Sequence, residues 1–94
     1  MRYEWDEEKN RRNLAKHRIS FDSAKLVFDD PHALNQLDRV EGGEERWQTI
    51  GLAGDIVVLL VAHTYSEGEG EEVVRIISAR KATPRERKAY DEAI

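Results

Sequence analysis

Residues 56–62, Ile-Val-Val-Leu-Leu-Val-Ala, form the longest unbroken apolar run in the chain. Seven residues fall far short of the roughly 20 that a membrane-spanning helix needs. No polar residue interrupts until His63, so 56–65 reads as a central strand buried on both faces. The rest of the chain must supply the strands beside it and the layers that cover them. Ninety-four residues, 36% charged and 39% apolar, suit one small domain over 1–94 that is polar but not disordered. With no cysteine there is no disulfide framework, thiol chemistry or zinc-thiolate site. The first six residues, Met-Arg-Tyr-Glu-Trp-Asp, hold no apolar segment of the signal-peptide kind. The expectation is a soluble, cytoplasmic protein without a membrane partner.

Around the central run, the pattern predicts a strand and two helices before it, and a last strand and helix after it. Residues 1–5 alternate weakly and can form a short strand. Asp6 is a good N-cap, Glu7 and Glu8 favour a first helical turn, and Lys16, His17 and Arg18 favour a last one. Arg18 stands where Gly or Asn usually reverses the chain, so a left-handed conformation there carries strain. Ser20 caps a second helix, with Ile19 able to pack on Ala24, and Phe21, Ala24, Val27 and Phe28 share one face. Asp29, Asp30 and Pro31 stop it. Strands follow over 33–39 and 44–53, separated by a Glu41-Gly42-Gly43 turn, and Gly54-Asp55 makes a second hairpin turn. Residues 66–70 read as a flexible acidic loop and 72–80 as the last strand. Thr83-Pro84-x-Glu86 is a capping box with Pro at the first helical position, opening a helix to about Glu92. This is an α+β domain: an antiparallel four-strand meander, with a short N-terminal strand as an option, and helices on one sheet face. The other face is left for solvent or a ligand.

The formal net charge of −4 argues at first against nucleic acid, because phosphate contacts need Lys and Arg. Divided along the chain, the balance changes. Residues 1–18 carry six Lys/Arg against four acids, 19–74 three against twelve, and 75–88 six against Glu86 alone, or +2, −9 and +5. Screening removes contributions beyond about 8 Å at physiological salt. A basic face therefore exists if the two ends of the chain meet in space, and otherwise these charges are a solvated surface.

Arg75 stands between apolar neighbours on the last strand, either as a snorkelling side chain or ion-pair partner, or as a guanidinium offered to phosphate. Arg80 is five residues on, which in a regular strand points it to the opposite face. Arg46 lies on the second strand of the meander, where the alternative is a cross-strand ion pair. His63 and Thr64 end the buried strand, a place that often opens on a cleft; His63 is either a structural histidine or a general acid or base. Trp5 and Asp6 read as a core anchor and a cap. Trp47 either packs beneath a helix or stacks on a base. His17 reads as a helix C-terminal charge and His32 as a loop residue. The three histidines lack metal-ligand spacing, so neither metal nor cofactor is expected, and no Gly-rich phosphate loop or G-x-S-x-G is present.

Taken together, several of these pieces resemble the BrnT family of toxins from type II toxin–antitoxin pairs. They are Trp5-Asp6-Glu7-Glu8-Lys9 with Asn13, Lys16-His17, Ser20-Phe21 with Ala24, and Val27-Phe28-Asp29. Gly43-Glu44-x-Arg46, Gly51, Arg75-Ile76-Ile77-Ser78-Ala79-Arg80, Glu86 and Tyr90 complete the set. Arg18 departs from the pattern, where glycine usually follows Lys-His, and the acidic 67–72 stretch is expected to weaken RNA approach on its side. The resemblance implies a RelE-like fold and a metal-independent endoribonuclease toxin that inhibits translation. It implies neutralisation by a BrnA-like ribbon-helix-helix antitoxin, with DNA reached only through that partner. Cleavage would proceed by attack of the RNA 2′-hydroxyl on the adjacent phosphate. Carried over by position, Arg46, Arg75 and Arg80 would stabilise the phosphate. Ser78 and Lys81 would orient the substrate, with Thr64 and Trp47 as further contacts, and proton transfer would fall to His63 or Glu45. The alternative is a non-catalytic, degenerate module that binds an antitoxin or RNA, since no convincing acid–base couple is present.

Overall fold

Each α-helix begins where the sequence supplies an N-cap. In the computed structural model, which describes residues 1–55 and 57–93, Asp6 opens helix α1 (Glu7–His17) by accepting the Glu8 N–H at 2.8 Å. The helix closes on Arg18, which adopts φ 62° and donates its N–H to the Leu14 carbonyl. A side chain at that φ is strained, as the Lys-His-Arg sequence predicts. Ser20 opens helix α2 (Phe21–Ala24) by accepting the Ser23 N–H. The expected α-helix through Phe28 does not continue. Residues Lys25–Asp29 tighten into a 3-10 helix instead. The tightening brings Val27 down on Gly51, where an added Cβ would lie 2.8 Å from Val27 Cγ1 and 3.2 Å from the Val27 carbonyl oxygen. Thr83 opens helix α3 (Pro84–Glu92) with the complete capping box.

The strands are β1 (Arg2–Glu4), β2 (Leu34–Glu41), β3 (Glu44–Ala53), β4 (Val57–Gly68) and β5 (Glu71–Lys81), in one five-stranded sheet of order β1-β5-β4-β3-β2. Consecutive strands from β2 to β5 pair antiparallel, and β1 adds to β5 in parallel. Strand β3 has the expected bounds. The expected start of β4, Ile56, lies outside the described residues. The 66–70 loop is a correction: β4 and β5 run on through it, and only Glu69 and Gly70 turn, at φ 55° and 76°. Charged residues there signalled solvent exposure, which an extended hairpin satisfies as well as a loop does.

Alternation along the strands separates two cores. On the first face, Leu59 and Val61 of β4 join Val74, Ile76 and Ala79 of β5 beneath Phe21, Ala24 and Val27. Burying each of the larger side chains contributes roughly 1.5–3 kcal/mol. On the second face, Val58 and Leu60 join Ile50 of β3 beneath Tyr90 of α3. The expectation of helices on one face only is therefore corrected. The second face is roofed by α3 at one end of the sheet and open at the other. Asp30 ties the roof down: it accepts from the Tyr90 hydroxyl and from the Leu52 N–H. Burial alone would raise the Asp30 carboxyl, but these bonds and the His32 amide hold it below the usual carboxylate range. The same bond and burial push Tyr90 up to about 12.

Strand β1 covers the outer edge of β5 only over Val73, Val74 and Arg75. Farther along, the buried Asn13 side chain of α1 takes over, donating to the Ala79 carbonyl at 2.8 Å and accepting the Ala79 N–H at 3.1 Å. A side-chain amide thus stands in for a sheet neighbour and fastens α1 against the edge of β5.

Candidate functional site

Strand β5 is not regular, and its irregularity organises the candidate site. Ala62 pairs with Ser78, but the next residue of β4, His63, pairs with Ile76. Ile77 is the extra residue of a β-bulge, which resets the alternation of the strand. Val74, Ile76 and Ala79 consequently all reach the first core. Arg75, Ser78 and Arg80, opposite Thr64, Ala62 and Leu60, all belong to the second face. The expectation that Arg75 and Arg80 point to opposite faces is thereby corrected.

Beyond the α3 roof, the second face holds a depression of about 240 Å³ lined by Asp38, Arg39, Arg46, Gln48, Ser78 and Arg80, with Trp47 and the apolar Leu60, Ala62 and Ile77. Arg39 comes to Arg46 by register across the β2–β3 hairpin. Every arginine here is held by a carboxylate. Arg39 Nε lies 2.9 Å from Glu41 and its Nη1 3.1 Å from Asp38, and Arg46 Nη2 lies 3.3 Å from Glu44. Arg80 grips Glu86 of α3 with both terminal nitrogens, at 2.8 and 3.0 Å. That fork holds the Glu86 carboxyl down to about 2, with help from the Thr83 N–H and hydroxyl. Glu86 therefore caps α3 and locks Arg80 in one orientation. Arg46 Nε is buried and has no hydrogen-bond partner among the described residues.

A second, larger depression of about 350 Å³ lies around the bulge, between α1 and the outer edge of β5. Lys9, Arg12, Lys16 and His17 line it from α1, and Ile77 and Ser78 from β5. Residues 9, 12, 13 and 16 recur at helical spacing, so one face of α1 presents Asn13 to β5 and the cations to the groove. The two ends of the chain meet here, but the basic residues that line the groove all come from α1.

The other candidates fall elsewhere. His63 is fully buried on the first face, with Phe28 and Tyr65 edge-on at 4.8 and 4.7 Å. Its Nε2 is 2.6 Å from the Thr49 hydroxyl, which also meets Asn35. Burial pushes the imidazole down to about 4. The expected opening of His63 on a cleft is thus corrected: the 3-10 helix roofs that strand end. The Trp47 ring lies 5.9 Å from Tyr65, on the His63 side, although the residue contributes to the wall of the sheet-face depression. Glu45 alternates with Arg46, and Lys81 pairs with Leu59, so both sit on the first-face side. Thr64 is buried opposite Arg75, and Arg75 lies 3.6 Å from Glu4, both outside the lining of the depression. Among the described residues no three His, Asp or Glu side chains group as metal ligands do.

The sequence did contain signals for some of the residues it did not yield. A two-residue Gly42-Gly43 turn, with φ 59° and 80°, fixes Glu41 opposite Glu44 and hence Arg39 opposite Arg46 by counting back. The bulge at Asp38 comes after that pair and does not disturb it. The cations of α1 were visible as charge, but their placement beside Ser78 depends on Asn13, a long-range contact.

A family model described as ribonuclease toxin, BrnT, of type II toxin–antitoxin system matches residues 5–86. No curated protein matches the chain. Among solved structures, the ribonuclease toxin BrnT of Brucella abortus is similar, with a TM-score of 0.62 and 24% identity over 88% of this chain and 97% of that one. At that identity the likeness speaks for the α+β fold.

Proposed function

The chain belongs to the BrnT family of ribonuclease toxins of type II toxin–antitoxin systems, and from that premise we propose that it is a metal-independent endoribonuclease that cuts RNA and stops translation. In this reading one RelE-like domain over 1–94 acts in the cytoplasm and is neutralised by a BrnA-like ribbon-helix-helix antitoxin, through which alone it reaches DNA. The observation that carries the proposal is the bulge at Ile77, with Ser78 and Arg80 beside Arg46 and Arg39 on one sheet face. Guanidinium forks on rigid strands suit the extra charge that a phosphate develops on attack.

The RNA 2′-oxygen bonds to phosphorus, the bond to the 5′-oxygen breaks, and a 2′,3′-cyclic phosphate results. Arg46 and Arg80 meet the phosphate oxygens, and Ser78 orients the strand. Asp38, a carboxylate that lines the depression, takes the 2′-hydroxyl proton in place of His63 and Glu45, and the leaving 5′-oxygen takes one from solvent. Arg75, outside the lining and paired with Glu4, adds charge from farther along β5. The test is induction of the chain alone in a bacterial host, with growth, translation and RNA integrity followed. Wild type arrests growth, and Arg46→Ala loses roughly 10²–10³ in cleavage rate and relieves the arrest. Undisturbed growth with abundant soluble protein overturns the enzyme. The burial of His63 away from the arginines favours one other reading, a module that binds RNA or antitoxin without cutting. Purified protein that binds RNA and leaves it intact would establish it.

A further inference from the structure

The groove between α1 and β5 is not needed by the mechanism above, yet it is the larger of the two depressions at the bulge. Lys9, Lys16 and His17 make no ion pair among the described residues, and Arg12 reaches only Glu8, at 3.6 Å. The unpaired Lys9 and Lys16, together with Arg12, focus a positive field on whatever enters this concave surface. The groove communicates with the sheet-face depression, because Ile77 and Ser78 line both. No strand separates them, since β1 ends opposite Arg75 and Asn13 covers only Ala79. A chain lying on the sheet face can therefore pass over the bulge at Ser78 and continue beside α1. The acidic Glu67–Glu72 end of the β4–β5 hairpin is about 20 Å away at roughly 3.3 Å per residue, so it does not oppose an anion here.

We propose that this groove is a second phosphate subsite, in which Lys9, Arg12, Lys16 and His17 hold the RNA backbone phosphate next to the one held over the sheet. The subsite rests on the RNA reading given above. Its chemistry is that of a single-stranded backbone, read by charge and indifferent to the base. Lys9 and Lys16 are exposed and bind nothing else among the described residues, so they can be changed without touching Asn13.

The test is salt-dependent binding of a mixed-sequence 2′-O-methyl RNA octamer, whose blocked 2′-oxygen cannot attack. Removing one single-strand phosphate contact lowers the slope of log K against log salt by about 0.7, which is about fourfold in affinity at 0.15 M. Lys9→Gln/Lys16→Gln is expected to show that loss, to converge on wild type near 1 M salt, and to be rescued by Lys9→Arg/Lys16→Arg. A double variant with the wild-type slope overturns the subsite and leaves the RNA reading standing. A loss that persists at 1 M salt also overturns it, because a structural defect is not screened. A variant that keeps its RNA slope but no longer binds the antitoxin assigns the groove to that partner and overturns it too. Wild type that binds no RNA at any salt overturns both readings. Wild type that binds the octamer but leaves unmodified RNA of the same sequence intact overturns only the enzyme, and the slope still decides the subsite.

Discussion

The two depressions that meet at Ser78 are both basic, but they hold their charge differently. On the sheet face each arginine is pinned by a carboxylate: Arg39 by Asp38 and Glu41, Arg46 by Glu44, and Arg80 by both oxygens of Glu86. Beside α1 the cations stand on a helix surface, and among the described residues only Arg12 has a partner, at 3.6 Å. A pinned guanidinium sacrifices net attraction for a fixed direction, whereas a free ammonium attracts from any direction and orients nothing. Chemistry at phosphorus needs direction, because charge must be met where it develops. Capture of a polyanion needs only field. The difference therefore assigns positioning to the sheet and capture to the helix.

The largest effect that can break this assignment is on rate. Arg46→Ala should cost roughly 10²–10³ in cleavage rate, while Arg75→Ala, outside the lining and paired with Glu4, should cost less than about tenfold, as a screened surface charge does. Single-turnover cleavage by the two purified variants measures both. If Arg75→Ala proves the more damaging, the catalytic phosphate lies toward β1 and the sheet-face depression is not the site.

The next effect concerns the far face. His63 is held neutral by burial, with its pKa at about 4 against an ordinary 6.5. The unfolded chain binds the proton first, so stability is full above about pH 6.5, falls as the pH drops toward 4, and is level below. The span amounts to about 3 kcal/mol at about 1.4 kcal/mol per pH step, and it is read from chemical denaturation across that range. His63→Phe should flatten that part of the profile and leave RNA cleavage within about threefold. If it abolishes cleavage in a folded protein, the proton-transfer group is on the first face, and the comparison of the two depressions loses its meaning.

Elements written in local chemistry were legible before the fold was known. Thr83-Pro84-Arg85-Glu86 contains its own cap, and β3 has a turn signal at each end. Asp6 and Ser20 open their helices as expected. What was not legible depends on register or on packing between distant segments. The five-residue spacing of Arg75 and Arg80 argues for opposite faces until Ile77 is known to be extra, and that follows only from the pairing of Ala62 and His63. His63 ends an apolar strand in the sequence, but nothing local says that Phe28 will roof it. The same limit applies to α3, whose Tyr90 packs on Ile50 and Leu60 across the second face. Arg46, Ser78 and Arg80 of the site were readable as chemistry, and their convergence was not.

A smaller effect tests the pin on Arg80. Glu86→Gln removes a carboxylate that the fork holds down to about 2, and it weakens one half of the capping box. The expected loss is about 2 kcal/mol at neutral pH. In wild type the same contribution is present above about pH 4.5 and fades as the pH falls toward 2, because the depressed carboxyl must then take up a proton. Thermal melts at pH 7 check the variant. A melt unchanged from wild type would mean that Arg80 is not locked by α3 and is as free as the lysines of the groove.

The smallest effect is on Arg46 itself. Glu44→Gln leaves β3 intact and releases Arg46 from its ion pair with Glu44, turning a pinned arginine into a free one of the α1 kind. Exposed pairs are worth about 0.2–1 kcal/mol, so affinity for 2′-O-methyl RNA should rise by no more than about fivefold as one negative charge leaves the side of Arg46. The cleavage rate at saturating RNA should fall, because the guanidinium gains freedom at the moment its direction matters. Binding and single-turnover rate would then move in opposite directions from one substitution. A variant that improves both would show that Glu44 only repels RNA, and that the two depressions differ in the number of their charges and not in how those charges are held.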